Sequence, residues 1–154
     1  MTDVKQSQVE NFMTVRTARI RYNSNIKHAA EMVALSRVSD LMVIDDDDSF
    51  RGVLSEGDIL RNALPDIDEI LEEGGSLEDA FDIFLSKGQG LSDLPIAPLV
   101  IEEPIIVSPD DHVAKVATVL LNKQIRLLPV VNAAGRLVGT VSRADVCRAM
   151  VGTL

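Results

Sequence analysis

The sequence predicts an α/β (α+β) protein in which one unit, of order β-α-β-β-α, occurs twice with a helical insert between the repeats. Three observations lead to this prediction. The 154-residue chain is 46% apolar but holds no Trp, one Tyr and four Phe. Its core must therefore consist of aliphatic side chains, which suit strands covered by amphipathic helices. A shift of 87 residues superposes two segments without gaps, and the segment between them is strongly acidic.

The duplication is clearest in the segments GVLSEGDILR and GTVSRADVCR, whose shared residues argue against a chance resemblance. We define the first repeat as residues 9–64, the insert as 65–95 and the second repeat as 96–152. Seven residues are identical at the 87-residue offset, and they pair as follows: Ala30 with Ala117, Leu41 with Leu128, Val43 with Val130, Gly52 with Gly139, Ser55 with Ser142, Asp58 with Asp145 and Arg61 with Arg148.

Each repeat is predicted to open with a short strand, a polar helix start and a helix. The helices are indicated by apolar residues at helical spacing, and the polar residues before them are N-cap candidates. In the first repeat, the strand is predicted at 18–22, the N-cap at Ser24 or Asn25 and the helix at 26–36. In the second repeat, the strand is predicted at 105–108, the N-cap at Asp110 or Asp111 and the helix at 113–123.

Two strands and a short helix complete each repeat. The continuous apolar runs LMVID and LPVVN predict second strands covered by helices. Turns at 46–48 and 133–135 lead to the third strands, FRGVLS and LVGTVS. A helix then begins at Ser55 or Ser142. In the second repeat, Ser142 can cap the helix while Asp145 returns a bond to the Ser142 N–H, so the motif is by itself a helix cap.

The insert accounts for the acidity of the chain. Residues 65–94 carry nine acidic residues and one basic residue, a net charge of −8, within a total of −9. DIDEILEE predicts a helix that stops at Gly74–Gly75, and SLEDAFDIFLSK predicts another, capped by Ser76 with Asp79. Gly88 and Gly90 are predicted to follow this helix and to mark the return of the chain to the second repeat. The second helix carries an apolar stripe that packs either on this chain or on a dimer partner: Leu77, Ala80, Phe81, Phe84 and Leu85.

Several classes of function are disfavoured. The negative charge argues against nucleic-acid binding, which needs clustered Lys and Arg. The stretch MTDVKQSQVENFM lacks the apolar core of a signal peptide, and no apolar run approaches a membrane span. We therefore expect a cytoplasmic protein that contacts no membrane.

The sequence also offers no evident metal site or catalytic centre. His28 and His112 stand alone, and the run 45–48 lacks the spaced ligands of a calcium loop. No serine belongs to a recognisable catalytic motif. Cys147, the single cysteine, cannot form an internal disulfide and is predicted to be a buried apolar residue.

These motifs resemble tandem cystathionine β-synthase (CBS) domains, the pair known as a Bateman module. The resemblance rests on LPVVN with GRLVGTVSRADV and on LMVID with FRGVLSEGDI, each containing Gly-x-x-Ser-x-x-Asp. The first repeat departs from the family pattern, with Met42 where the second repeat has Pro129 and with four Asp residues in its turn. The resemblance implies pseudo-twofold packing, two clefts that in the family often bind AMP, ADP, ATP or S-adenosylmethionine, and a homodimer.

The resemblance also implies which residues line each cleft, because each takes its ribose and phosphate contacts from one repeat and its adenine walls from the other. The cleft ending at Asp145 is expected to use, or to have nearby, Met13, Arg16, Ala18, Val38, Arg126, Thr140, Ser142, Arg143, Ala144 and Asp145. The cleft ending at Asp58 is expected to use Ser39, Val53, Ser55, Gly57, Asp58, Val100, Ile105 and Ile125.

The two clefts differ in charge. Where the Asp145 cleft has Arg16, Arg126 and Arg143, the Asp58 cleft has Glu103, Ser39 and Glu56. Because arginine pairs well with phosphate, we expect AMP or ATP in the Asp145 cleft. The Asp58 cleft is expected to be empty or to hold an uncharged ligand. S-adenosylmethionine, which is cationic at sulfur, ranks below the nucleotides.

The sequence therefore predicts a non-enzymatic, ligand-sensing module that needs no cofactor and signals to an unidentified partner protein. The alternative is a structural dimerisation or protein-interaction module without a nucleotide ligand. An enzyme ranks third.

Overall fold

The computed structural model describes residues 7–152, and within them it confirms the mixed α/β class. The first six residues of the stretch tested for a signal peptide lie outside the described range. Among the described residues, no helix is both long and apolar enough to cross a membrane. In chain order the elements are β1 (Arg19–Arg21), α1 (Ile26–Ser36), β2 (Asp40–Ile44), β3 (Phe50–Ser55), α2 (Glu56–Ala63), α3 (Ile67–Glu72), α4 (Leu77–Leu91), α5 (Val113–Asn122), β4 (Leu127–Val131), β5 (Leu137–Ser142) and α6 (Arg143–Val151).

The first repeat forms a three-stranded sheet of order β1-β2-β3. Strand β2 pairs in parallel with β1 and antiparallel with β3. Its residues 41–44 are all buried, as expected for the central strand of a covered sheet. Helix α1 begins at its N-cap Asn25, whose side chain accepts a hydrogen bond from the His28 amide at 2.9 Å. Of the two capping candidates in this repeat, the structure uses Asn25.

The second repeat has only two strands, β4 and β5, so the strand predicted at 105–108 is wrong. Val107 alone forms a parallel bridge with Val130. The cause lies at the one position where β2 and β4 differ in backbone chemistry. The Met42 amide donates to the Ala18 carbonyl at 3.0 Å, but Pro129 at the equivalent position has no N–H to donate.

Three further predictions, concerning the start of α5, the end of α4 and the burial of Cys147, are wrong. The N-cap of α5 is His112, which accepts from the Ala114 amide at 3.0 Å, while Asp111 accepts from the Ser108 amide instead. Helix α4 continues to Leu91, through the two glycines expected to end it, because its apolar side packs on the first repeat. Cys147 is exposed on α6, not buried.

The two repeats exchange the segments that precede β1 in the first repeat and the Val107 bridge in the second. Val9 is fully buried in the core of the second repeat, and Ile96 is fully buried in the core of the first. The backbone bridges that connect the repeats occur in equivalent pairs at the 87-residue offset. The bridge between Gln8 and His112 is equivalent to that between Pro95 and Asn25. The bridge between Thr14 and Thr140 is equivalent to that between Ile101 and Val53. The bridge between Ser49 and Arg136 joins equivalent positions to each other. The exchange therefore gives the pair an internal symmetry.

The exchange explains why both repeats keep a glycine in their third strand. A Cβ at Gly52 would lie 2.2 Å from the Ile101 carbonyl oxygen, and φ there is +155°. A Cβ at Gly139 would lie 2.8 Å from the Thr14 carbonyl oxygen. A side chain at either position would push away the crossing segment, so the glycines permit close approach of two backbones.

A candidate ligand cavity between the two repeats

A cavity of about 180 Å³ lies where β2 and residues 14–18, which precede β1, face β5 and the start of α6. The cavity brings together six residues predicted for the Asp145 cleft, namely Arg16, Ala18, Val38, Thr140, Ser142 and Asp145. Five further residues line it: Thr14, Thr17, Asp40, Met42 and Leu127. Apolar walls therefore come mainly from the first repeat, and a helix start comes from the second.

Asp145 is held by the capping box at the start of α6. Ser142 accepts a hydrogen bond from the Asp145 amide at 3.1 Å, and Asp145 accepts one from the Ser142 amide at 2.9 Å. The Asp145 residue is only 3% exposed, so its charge requires partners. The prediction that Ser142 and Asp145 form a helix cap is thus confirmed. The cap fixes the Asp145 carboxylate at the wall of the cavity.

Two further side chains hold the Asp145 carboxylate. The Thr14 hydroxyl, 131 residues away in sequence, lies 3.1 and 3.2 Å from its two oxygens. Arg148, one turn along α6, forms an ion pair with it. The Asp145 carboxylate, which the family resemblance places among the ribose and phosphate contacts of the cleft, is therefore already satisfied in this structure. A ribose would have to replace the Thr14 hydroxyl or displace the Arg148 guanidinium.

Two polar groups in the cavity wall lack such satisfaction. The Thr17 hydroxyl oxygen is buried and has no hydrogen-bond partner among residues 7–152. Burial raises the pKa of the half-buried Asp40 carboxyl, against a weaker opposing effect of its hydrogen bond from Ser39. An unsatisfied buried hydroxyl costs free energy, and a ligand with a donor or acceptor could recover it.

The four other residues predicted for this cleft lie outside the cavity lining. Arg126 is exposed and directly precedes Leu127, which lines the cavity; its charge opposes the rise in the pKa of Asp40 that burial causes. Arg143 points elsewhere, donating to the carbonyls of Ile125 at 3.1 Å and Leu120 at 3.2 Å. Met13 packs against the core of the second repeat, and Ala144 is exposed on α6.

The residues predicted for the Asp58 cleft have structural roles in the two repeats. Val100 lies in the core of the first repeat, and Ile125 packs against the core of the second. Ser55 caps α2, Val53 pairs with Ile101, Ser39 binds Asp40, Gly57 lies within α2, and Ile105 is exposed. Asp58 accepts from Arg61 at 2.7 Å, which lowers the pKa of its carboxyl. Ile101 stands where Thr14 stands in the other cleft, and its side chain has no hydroxyl to donate.

Two comparisons of sequence establish the family. The model of the CBS domain matches residues 9–64 and 91–152, so the chain belongs to this family and contains a tandem pair of these domains. The CBS domain-containing protein CBSX2 of Arabidopsis thaliana, a chloroplastic protein, is 29% identical over 155 residues, covering 92% of this chain and 62% of CBSX2. The chain thus spans only part of the length of that relative.

Comparisons of structure agree. The crystal structure of CBSX2 in complex with AMP is 28% identical, covers 94% of this chain and 96% of that chain, and superposes with a TM-score of 0.70. A CBS domain-containing protein of unknown function from Bacillus anthracis has a TM-score of 0.74 at 17% identity, over 96% of this chain and 94% of that one. The second likeness concerns the fold alone.

One relative is an enzyme. Homoserine O-acetyltransferase of Methanococcus vannielii is 22% identical over 138 residues, which cover 90% of this chain but 24% of that protein. The similarity therefore concerns a minor part of the enzyme.

Proposed function

We propose that the chain is a non-enzymatic sensing module that binds an adenine nucleotide in the cavity between the repeats. The observation that carries the proposal is the composition of this cavity. It combines the apolar wall of Ala18 and Val38 with the helix start at Ser142. A helix start offers free amides and the positive end of a helix dipole, both suited to phosphate. CBSX2, which shares the fold and 28% of the sequence, has been crystallised with AMP.

Charge favours an anionic ligand at this site. Among residues 7–152, Arg16 and Arg126 form no ion pair and no side-chain hydrogen bond with the protein. Both guanidinium groups are exposed, so they can pair with phosphate without breaking an existing contact. The Asp58 cleft has Glu103 and Ser39 at the equivalent positions, and we propose that it is empty or holds an uncharged ligand.

Binding through Asp145 would link the ligand to the arrangement of the repeats. The hydrogen bond from Thr14 to Asp145 joins the two repeats across the cavity. The cavity, at about 180 Å³, is smaller than the roughly 300 Å³ of ordinary ligand pockets, and we propose that it widens on binding. A ligand that replaces the Thr14 contact binds the wider arrangement better and shifts the population toward it. A partner protein would recognise that arrangement.

Titration calorimetry with AMP, ATP and adenosine tests the proposal. We expect one site per chain, and we expect adenosine, which lacks phosphate, to bind more weakly than AMP. Arg126→Ala should weaken AMP binding by about tenfold or more, because a charge-assisted bond of roughly 1.5–3 kcal/mol is lost. Lys123→Ala is the matched control, because Lys123 is an exposed cation at the C-terminal end of α5. This variant should bind AMP as the wild type does. No AMP binding, or equal binding by Arg126→Ala and the wild type, would refute the assignment.

A second candidate function is a structural or protein-interaction module without a nucleotide. The exposed apolar side chains of α4 favour it, with Leu77 at 66% and Phe81 at 58% exposure. Thermal unfolding separates the two candidates, because a nucleotide that binds the native state raises the midpoint with its concentration. A homodimer, a cytoplasmic location and the repeat boundaries at 64 and 96 stay predictions, and the relative CBSX2 is a chloroplastic protein.

A further inference from the structure

Asp40, the first residue of β2, places a carboxylate in the wall of the cavity between the repeats. It is half-buried, and among residues 7–152 its hydrogen-bond donor is the Ser39 hydroxyl at 3.3 Å. Within the same range it forms no ion pair. The equivalent residue of the second repeat, Leu127, lines the same cavity without a charge. Asp40 is therefore an acidic group of the cavity that the fold leaves without a cation.

The residues beside Asp40 add further negative charge. Asp40 pairs with Ser55 in the sheet, and Glu56, the next residue, begins α2. The Glu56 amide donates to the Ser39 carbonyl at 2.9 Å, so the start of α2 lies beside the start of β2. Burial raises the pKa of the Asp40 carboxyl, and the charges of Glu56 and Asp58 raise it as well. Glu56 is exposed and, like Asp40, forms no ion pair in the part of the chain that the structure describes.

The phosphate end of the proposed site adjoins this acidic edge. Leu127 pairs with Ser142, the N-cap of α6, where phosphate is proposed to bind, and Arg126 directly precedes Leu127. Asp40 lines the cavity together with Leu127, Ser142 and Arg16. Two arginines are thus available to a first phosphate group, and two unpaired acids, Asp40 and Glu56, lie on the opposite repeat.

We propose that Asp40 makes the cavity selective for a nucleoside monophosphate over a nucleoside triphosphate. Arg16 and Arg126 can neutralise one phosphate group, but each further phosphoryl group brings a negative charge toward Asp40 and Glu56 without a further cation. The repulsion is stronger in a partly buried site than in water, because the lower dielectric screens it less. The small volume of the cavity, about 180 Å³, favours the smaller ligand in the same way. This inference rests on the proposed function, since it concerns the same ligand.

Titration calorimetry with AMP and ATP in EDTA, where no metal ion masks the phosphate charge, tests the selectivity. We expect the wild type to bind AMP at least about tenfold more tightly than ATP, because like charges brought together lower affinity. Asp40→Asn removes the charge and keeps the size of the side chain. It should lower the ratio of the ATP Kd to the AMP Kd by about tenfold, with a larger gain for ATP than for AMP.

Two further variants separate the charge of Asp40 from a general effect of removing an acid. Glu56→Gln changes an exposed residue beside Asp40 and should lower the same ratio by a smaller factor. Asp93→Asn is the matched control, because Asp93 is exposed and lies outside the cavity lining, and it should keep the wild-type ratio.

The outcomes distinguish a failure of the selectivity from a failure of the proposed function. Equal affinity of the wild type for AMP and ATP would overturn the role of Asp40 but leave a nucleotide site. An unchanged ratio in both Asp40→Asn and Glu56→Gln, or a ratio lowered as much by Asp93→Asn, would do the same. If neither nucleotide binds, the proposed function is wrong and the selectivity is wrong with it.

Discussion

Two carboxylates of the cavity are in opposite situations. Asp145 is almost fully buried but has Thr14, Ser142 and Arg148 as partners. Asp40 has one hydrogen bond, from the Ser39 hydroxyl at 3.3 Å, and burial raises the pKa of its carboxyl. Asp145 is therefore a structural anchor that a ligand must compete for. Asp40 is a charge that destabilises the folded cavity when ionised and opposes an anionic ligand.

Asp40→Asn should stabilise the protein and tighten AMP binding at neutral pH. The folded-state pKa of Asp40 lies above its ordinary value, so the folded protein binds more protons at this group than the unfolded chain does. The resulting stability is complete below the ordinary pKa and is lost as pH rises through the folded-state pKa. Denaturant unfolding and AMP titration, each followed from neutral to acid pH, measure both effects.

The advantage of Asp40→Asn should disappear at acid pH, where the wild-type carboxyl is itself neutral. Asp93→Asn serves as the control, because Asp93 is exposed and lies outside the cavity lining. A variant that is less stable than the wild type at neutral pH, or that binds AMP more weakly, would contradict this account of Asp40.

Single residues show where self-comparison of the sequence succeeds and where it fails. It identified Ser142 and Asp145, because both repeats need the same helix cap. It missed Thr14 and Asp40, whose counterparts are Ile101 and Leu127. Neither residue is shared by the two repeats, and the family resemblance does not place either of them in the cleft. The direction of Arg143 was also beyond the sequence, since it depends on carbonyl groups that only the packed helices bring close.

At the scale of elements, backbone chemistry decides which strands form. Residues 105–108 were predicted to form a strand, but only Val107 is bridged to β4, through two backbone bonds, and Pro129 has no amide to donate a further one. Likewise, packing keeps α4 helical through Gly88 and Gly90, which were predicted to follow the helix. Helix and strand type were predictable from periodicity, whereas these boundaries depended on contacts with other elements. The exchanged segments were not predictable, because nothing local distinguishes pairing with one repeat from pairing with the other.

The close approach at β5 gives a test of the exchange. Gly139→Ala places a methyl group 2.8 Å from the Thr14 carbonyl oxygen and 3.0 Å from the Met13 sulfur. Because backbone must shift, we expect a loss of about 1–3 kcal/mol in the free energy of unfolding. Thr14 should also move away from Asp145, which a crystal structure of the variant would reveal.

Gly90→Ala is the matched substitution within a helix. A Cβ at Gly90 meets no atom within 4 Å, so alanine should stabilise α4 by up to about 1 kcal/mol. Urea unfolding of both variants gives the comparison. If Gly139→Ala were as stable as the wild type, the crossing segment would not be held as the structure indicates.

At the scale of the whole molecule, the exchange makes each core a joint product of both repeats. Ile96 belongs in sequence to the second repeat but is fully buried among Ile20, Leu41 and Leu54 of the first. Val9 contributes to the other core in the same way. Neither repeat can lose its core without releasing a segment of the other. The pair should therefore unfold in one cooperative step, even though its sequence is a duplication.

Ile96→Ala tests this cooperativity. Truncation of a fully buried isoleucine should lower the free energy of unfolding by about 2–5 kcal/mol. Native-state hydrogen exchange then reports which amides lose protection. If the repeats unfold together, the slowest amides of β4 and β5 lose as much protection as those of β2 and β3, although the substitution lies in the first core. Leu35→Ala, at an 84% exposed position, should change protection by less than about 0.5 kcal/mol. Loss of protection confined to the first core would mean that the repeats unfold independently, and ligand binding between them would then have no rigid pair to act on.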